Sequence, residues 1–454
     1  MTRSPLHTTI HLGVMVLLLL LFSSGNSEQS PVPLADMGSA PRADVDRPKP
    51  VYMLIERDER IHGLKPFQDL VDATPAGTTL YPPPGHYAGP VSIDKPLTID
   101  GHGQVTIDAG DKGTVFVLNT NHATIRNLHL TGSGSSHDTD DACLDIRGHH
   151  NLIENIQIDN CLFGIDLKQS NHNTLRGNTI RSKNATLGLR GDSLRLWYSH
   201  DNLVEKNEIS DSRDIVAWYS HRNTFQDNIG RNSRYSIHFM FANDNVIERN
   251  RFYNNSVGVY FMYTEGGIAR NNLISHANGT AGMGIGFKEA SGTLIENNEI
   301  IYCAIGIGSD LSPFEPDTTI DIHNNRFAYN GIGILFNSET GGNRMTDNIF
   351  EGNLTQISYG GRSGSPRTNY WHGNYWDDYQ GFDQDNDGIG DQPYELLAYA
   401  DKIWMDMPVA RFFRNTPVME LLDFLERLAP FSAPDLILID EKPRFTKPER
   451  SAVL

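Results

Sequence analysis

Hydrophobic and polar positions along this chain return at a near-constant interval, and asparagine marks it. Eleven asparagines stand in lines resembling Asn-x-Ile-x-x-Asn-x-Ile, at Asn127, Asn155, Asn178, Asn207, Asn228, Asn250, Asn272, Asn298, Asn325, Asn348 and Asn374. Successive gaps are 28, 23, 29, 21, 22, 22, 26, 27, 23 and 26 residues, a unit near 22 with variable insertions. A unit so short cannot bury a core alone, so each predicts one coil of a solenoid.

Aligning the units on their asparagine aligns the apolar positions too. Thirteen residues before it stand Ala142, Ile165, Leu194, Ile215, Ile237, Val259 and Ile285, and eleven before it Leu144, Leu167, Leu196, Ala217, Phe239, Phe261 and Phe287. Further apolar columns lie three before (Val204, Phe225, Ile247, Ile295) and two after (Ile180, Ile209, Phe252, Ile274). Alternation with period two marks strands with one buried face. Two or three such strands per coil, stacked ~4.8 Å apart in parallel sheets, predict an all-β fold, a right-handed parallel β-helix. The repeated asparagine is expected at a corner, in the left-handed conformation it tolerates, with its amide bonded to the next coil. A leucine-rich horseshoe would need leucine where these asparagines and isoleucines stand.

The ends read differently. Residues 1–29 carry Arg3, an apolar run from Leu12 to Phe22 and then Ser23, Ser24 and Gly25, the pattern of a secretory signal; the run is too short to cross ~30 Å of hydrocarbon. Residues 30–65 read as a linker rich in Pro, Asp and Ala, and Pro66 to Ala73 as a short capping helix opening a solenoid over 66–376. An Asp-rich loop over 377–395 and a tail over 396–454 follow. In the tail, Pro417 to Leu428 has helical apolar spacing, at Leu421, Leu422, Phe424, Leu425 and Leu428. The bland role of that helix is to plug the last coil.

A net charge of −18 opposes nucleic acid and anionic lipid as partners. Three cysteines (Cys143, Cys161, Cys303) in an exported chain allow one disulfide at most and leave open whether Cys143 and Cys161 pair.

The outward positions, twelve and ten before each asparagine, carry the candidate chemistry. They read Cys143 and Asp145, Asp166 and Lys168, Arg195 and Trp197, Val216 and Trp218, His238 and Met240, Tyr260 and Met262, Gly286 and Lys288. Trp197, Trp218, Met240 and Met262 make one apolar column on a face that should be wet. His238 and Met240 lie ~6.6 Å apart along a strand and Met262 one coil away, so the three can share a metal. Imidazole with thioethers is a soft donor set suited to Cu(I), with Tyr260, Trp218 and Trp197 flanking it. The bland alternative is a column covering a neighbouring loop. His200 and His221, seven before their asparagines, are expected to stack and to extend a metal path or merely to be solvated. Asp145, Asp166, Lys168 and Arg195 offer a rival site for acid/base chemistry on an acidic polysaccharide, or else solvated ion pairs. Asp383, Asp385 and Asp387 before Gly388, with Asp391, resemble a calcium loop, although position twelve is Tyr394; a plain acidic turn is the alternative.

Several segments resemble the NosD family, maturation proteins of nitrous oxide reductase. They are Ser236-Ile237-His238-Phe239-Met240-Phe241-Ala242-Asn243-Asp244-Asn245, Gly258-Val259-Tyr260-Phe261-Met262-Tyr263, Gly373-Asn374-Tyr375-Trp376-Asp377-Asp378-Tyr379 with Asp387-Gly388-Ile389-Gly390-Asp391, and Leu421 to Phe431. The resemblance implies a periplasmic, non-catalytic protein working with the membrane and ATPase subunits of an ABC transporter and with a copper chaperone. Together they would assemble the copper sites of the reductase. It makes His238, Met240 and Met262 the leading copper candidates. It also assigns the tail helix, and the strand-like Leu436 to Asp440, to docking on the transporter; a strand closing the solenoid edge is the alternative. An enzyme on uronate-type polysaccharide and a purely structural solenoid are the other functional readings.

Overall fold

The computed structural model describes residues 61–338, 341–360, 366–398, 416–417, 421, 424–425 and 435–449. The leader over 1–29 and nearly all of the linker lie outside them. Each coil contributes three short strands, as in Leu194–Trp197, Leu203–Glu205 and Glu208–Ser210. Equivalent strands of successive coils pair in parallel. One strand per coil, from Val91–Ile93 to Thr355–Gly360, builds a 12-stranded sheet, and the others join a 25-stranded one. The chain is a parallel β-helix. Its core is a set of in-register columns, among them Phe239, Phe261 and Phe287, whose rings stack 5.4 and 5.5 Å apart. At Gly230, an added Cβ would lie 2.9 Å from the ring of Phe252, so glycine there makes room for the next coil's aromatic. The helix Phe67–Ala73 buries Phe67 and Val71 against the first coil, as the sequence predicts. No helix among the described residues is long and apolar enough to cross a membrane.

The asparagine ladder is present, with a different division of labour at the corner. The left-handed residue is the one before the ladder asparagine, at Lys206, Asp227, Arg249, Asn271, Asn297 and Asn324, with φ between 54° and 57°. The asparagine itself is buried and supplies hydrogen bonds. Asn250 Oδ1 accepts from the backbone N–H and the Nδ2 of Asn228, both at 2.9 Å, while its own Nδ2 donates to Phe225 O and to Asn272 Oδ1. Each amide thereby serves three coils.

Asn127 and Asn155 do not belong to the column. They are left-handed, with φ of 56° and 52°, and Ile156 takes the corner, its N–H donating to Asn178 Oδ1. The stretch from Leu144 to Ile156 is also one residue shorter than that from Ile165 to Asn178. The alignment of the early coil therefore slips by two: Leu144 pairs with Ile165, Asp145 with Asp166, and Ala142 with Phe163. Cys143 is not an outward residue; it is fully buried and disulfide-bonded to Cys161. The remaining thiol, Cys303, is buried, and that burial pushes it up to about 12.

A second ladder, not apparent from the first alignment, runs through Asn151, Asn173, Asn202, Asn223 and Asn245 by the same donor and acceptor pattern. It sits at the corner after the 12-stranded sheet.

The end of the solenoid is closed by the strand Asp435–Asp440, paired antiparallel with Tyr394–Ala398. Ile437 and Leu438 are buried, and Tyr394 stacks on Trp376 at 4.4 Å. Docking through Leu436 to Asp440 is therefore corrected: these residues form the cap, because an uncovered last coil would expose Trp376 and leave its ladder amide unpaired. Of the apolar residues predicted for the tail helix, Leu421, Phe424 and Leu425 are exposed; Leu422 and Leu428 lie outside the described residues.

Asp440, fully buried, terminates the ladder. Its carboxylate accepts from Gly373 N (3.2 Å), Asn374 N (3.0 Å), Asn374 Nδ2 (2.9 Å) and Trp376 Nε1 (3.3 Å). Replacing it by alanine orphans these donors at ~1–3 kcal/mol each. Asp440→Ala should lower unfolding free energy by roughly 3 kcal/mol or more, read by denaturant titration of tryptophan fluorescence; an unchanged midpoint would show that the carboxylate does not cap the ladder.

Candidate functional site

Register in the 12-stranded sheet decides which outward side chains become neighbours. Trp197 pairs with Trp218, Trp218 with Met240, Met240 with Met262, and Met262 with Lys288. In the parallel column, Val216 pairs with His238, His238 with Tyr260, and Tyr260 with Gly286. The sequence-predicted stripe therefore exists, and all four of its apolar members are half-buried. Beside it runs a second stripe that the alignment did not register. Tyr198, Tyr219, Phe241 and Tyr263 occupy successive left-handed corners with rings stacked 4.9, 5.1 and 4.8 Å apart. Rings stacked on one another turn their edges outward, so this surface offers a sugar few open aromatic faces.

His238 is the unusual member. Tyr235 stacks on it at 4.8 Å and Tyr260 meets it edge-on at 5.8 Å. Burial drives its pKa below the ordinary imidazole value; the Asp214 carboxylate opposes this and the Arg234 guanidinium adds to it. The imidazole is therefore neutral at pH 7. Its Nε2 is sealed from solvent and has no hydrogen-bond partner among the described residues, and the same is true of Nε1 of Trp218. An orphaned buried nitrogen costs ~1–3 kcal/mol, a penalty that structural histidines normally avoid. Burial also raises Tyr260, pushed up to about 12, so its phenol stays protonated.

The adjoining column carries soft donors: Met240 and Met262, two residues along the strand from His238 and Tyr260, are register partners one coil apart. A third thioether, Met283, lies beside Tyr260. An added Cβ on Gly286 would lie 2.6 Å from Met283 Sδ and 2.3 Å from the Tyr260 ring, so glycine leaves the space that both fill. Neutral imidazole with thioethers fits monovalent copper, and the carboxylates that hard cations require are absent from these columns between Val216 and Gly286. Tyr235 and Met283 escaped the sequence reading because the column comparison stopped at two outward positions per coil; their signal is the apolar residue three positions before each of His238 and Gly286.

The other candidates resolve as follows. Asp145, Asp166, Lys168 and Arg195 do come together, but not as solvated pairs. Asp166 is fully buried between Arg195 (Nε–Oδ1 2.9 Å) and Lys168 (3.1 Å), and Lys168 also reaches Asp145 and Asp140 at 3.4 Å. Arg147 holds Asp145 at 2.9 Å. Both carboxylates are buried against these cations and present almost no surface to a polymer substrate.

His200 and His221 stack at 5.1 Å as expected. However, their Nδ1 atoms accept the backbone N–H of His221 and Asn243, which places the proton on Nε2 and leaves no lone pair there for a metal. Asp383, Asp385 and Asp387 each offer an oxygen within 4.8 Å of the others, a donor set suited to a hard cation such as calcium. Asp391 instead accepts from Gln384 N at 2.6 Å.

A site kept for a ligand costs stability when empty. His238→Leu, which removes the orphaned nitrogen, should leave the metal-free protein as stable or more stable by up to ~1–2 kcal/mol, measured by denaturant titration. A clear loss of stability would mean that the imidazole is a structural group.

Comparison with known proteins converges on the same coils. Residues 180–381 match the family model described as "Periplasmic copper-binding protein (NosD)". The chain is 36% identical over 113 residues to a "Probable ABC transporter binding protein NosD" of Stutzerimonas stutzeri, covering 24% of this chain and 25% of that protein. It is 36% identical over 109 residues to a protein of the same description from Pseudomonas aeruginosa, covering 24% and 26%. The match thus spans about a quarter of each relative's length. Among solved structures, the A-module of the mannuronan C-5 epimerase AlgE6 of Azotobacter vinelandii aligns with a TM-score of 0.50 and 14% identity, over 64% of this chain and 89% of that one. That likeness is one of fold alone. The matched residues, fewer than half of this chain, include the coils that carry His238, Met240 and Met262, and over them the chain resembles the NosD family.

Proposed function

We propose that this chain is a non-catalytic periplasmic protein that takes Cu(I) as cargo and passes it toward the copper sites of nitrous oxide reductase, in concert with an ABC transporter and a copper chaperone. The observation that carries this reading is the orphaned, neutral imidazole nitrogen of His238, next to the Met240 and Met262 column inside the family-matched coils. His238, Met240 and Met262 would hold the ion, while Tyr260, Trp218 and Trp197 restrict water around it. Three neutral donors leave the charge of Cu(I) in place, and the half-buried stripe beside them suits a partner that covers the ion during transfer. The buried Asp145 and Asp166 network has no part in this role. The relatives, described as ABC transporter binding proteins, suggest the transporter; Leu421, Phe424 and Leu425, exposed on the tail helix, are the surface proposed to dock there.

Anaerobic Cu(I) titration of the mature protein against a competing chelator should reveal one stoichiometric site, absent from a folded His238→Ala, Met240→Leu, Met262→Leu variant. Equal binding by both proteins would remove copper from the central ladder. For docking, Leu421→Glu with Phe424→Glu should abolish co-purification with the transporter's membrane subunits while leaving that titration unchanged; undiminished co-purification would sink the docking role of the helix.

A further inference from the structure

The corner after the 12-stranded sheet carries six histidines in two adjacent columns, and they do not all have the same reason to be there. In one column, Asn121, His149, Asn171, His200, His221 and Asn243 follow each other coil by coil. Each of these side chains accepts a backbone N–H from the next coil: His149 N donates to Asn121 Oδ1, Asn171 N to His149 Nδ1, His200 N to Asn171 Oδ1, and so on. Histidine here does the work of asparagine. His149, His200 and His221 are thus explained by backbone satisfaction.

The neighbouring column is His122, His150, His172, Asp201, Arg222 and Asp244, all left-handed with φ between 55° and 60°. The first three are exposed, and their rings stack in order, 5.1 and 4.9 Å between centroids with interplanar angles of 7° and 6°. Backbone geometry does not demand imidazole there, since Asp201, Arg222 and Asp244 meet the same requirement in later coils. The corner before the main asparagine ladder makes the same demand from Asn127 to Gly373 and is met by Asn, Asp, Lys, Arg and Gly, never by histidine. Three consecutive imidazoles on one exposed edge therefore exceed what the fold needs.

The structure assigns this stack, His122, His150 and His172, as a surface binding site for a divalent transition-metal ion, Cu(II) in preference to Zn(II) or Ni(II). Imidazole is a borderline donor, and the order of divalent affinities places copper first. Metal–nitrogen bonds of ~2 Å require two ring nitrogens to approach about 3 Å, which solvent-exposed side chains 5 Å apart reach by tilting toward one another. His150 lies between the other two and can pair with either. Desolvation by its neighbours, followed by the charges of His172, His122 and His149, holds its pKa below the usual imidazole value, so its lone pair is available at neutral pH. Water fills the remaining positions, because both oxygens of Asp201 are bonded to Arg222. The net charge of −18 favours cation approach. The site is separate from the thioether cluster in donor type, metal valence and exposure, and does not depend on that cluster's role.

The test is aerobic titration of the full secreted chain, without an affinity tag, with Cu(II) chloride against a competing chelator, read by electron paramagnetic resonance. One ion with nitrogen hyperfine structure is expected. Asparagine is at home in the left-handed region, so His→Asn variants should keep the backbone. His150→Asn should weaken binding about tenfold or more through loss of the chelate, and His122→Asn or His172→Asn by less. The Met240→Leu, Met262→Leu variant should bind as wild type. Unchanged Cu(II) affinity in the triple His122→Asn, His150→Asn, His172→Asn variant would overturn the assignment. So would loss of the ion on removing the two methionines, which would place it on the thioether cluster.

Discussion

A tube of backbone that turns several times per coil must find a partner for the peptide groups it buries at every corner. Meeting that demand organises the rest of this molecule. A strand ladder saturates its own backbone, but a corner interrupts the ladder and leaves N–H and C=O groups facing inward where no water reaches. Here the corner is built from two residues: a left-handed one that makes the turn, and a buried asparagine that accepts from one neighbouring coil and donates both to that coil and to the one on its other side. Because each amide bonds across coils, one ladder also holds the stack in register, and it ends only where a buried carboxylate, Asp440, can receive the last donors.

Once the interior is committed to these ladders, the outward face of the 12-stranded sheet is free to vary, and it varies sharply by coil. In the early coils it is ionic, with Asp166 enclosed by Arg195 and Lys168. In the middle coils it becomes apolar and sulfur-rich around His238, and beyond Met262 it returns to charge at Lys288 and Asp310. Register turns residues more than twenty positions apart in sequence into neighbours. The same geometry that stacks aromatic rings for stability also sets a column of thioethers beside the column that holds one imidazole. Of the two buried nitrogens on this face left without a partner among the described residues, Trp218 Nε1 and His238 Nε2, only the imidazole nitrogen carries a lone pair to offer.

The ladders also separate two uses of histidine that composition cannot distinguish. His200 and His221 present their acceptor nitrogen to the backbone and are structural; His238 presents a nitrogen to nothing, and His150 stands in a stack that the backbone does not require. What distinguishes them is where the lone pair goes.

By itself the sequence determined the parallel β-helix, because a period-two alternation repeated at a constant interval permits little else. It also placed the stripe of Trp197, Trp218, Met240 and Met262, whose spacing from each asparagine is constant in the middle coils. It could not locate the corner where Asn127 and Asn155 stand one residue early, since asparagine suits both the left-handed position and the ladder, and the resulting slip turned buried Cys143 outward. Nor could it decide whether Leu436 to Asp440 closes the solenoid or meets a partner, because an apolar strand reads alike in either setting. Only the tertiary structure decided these points, for the physical reason that burial and hydrogen-bond partnership belong to contacts across coils, between residues whose distance along the chain varies with every insertion.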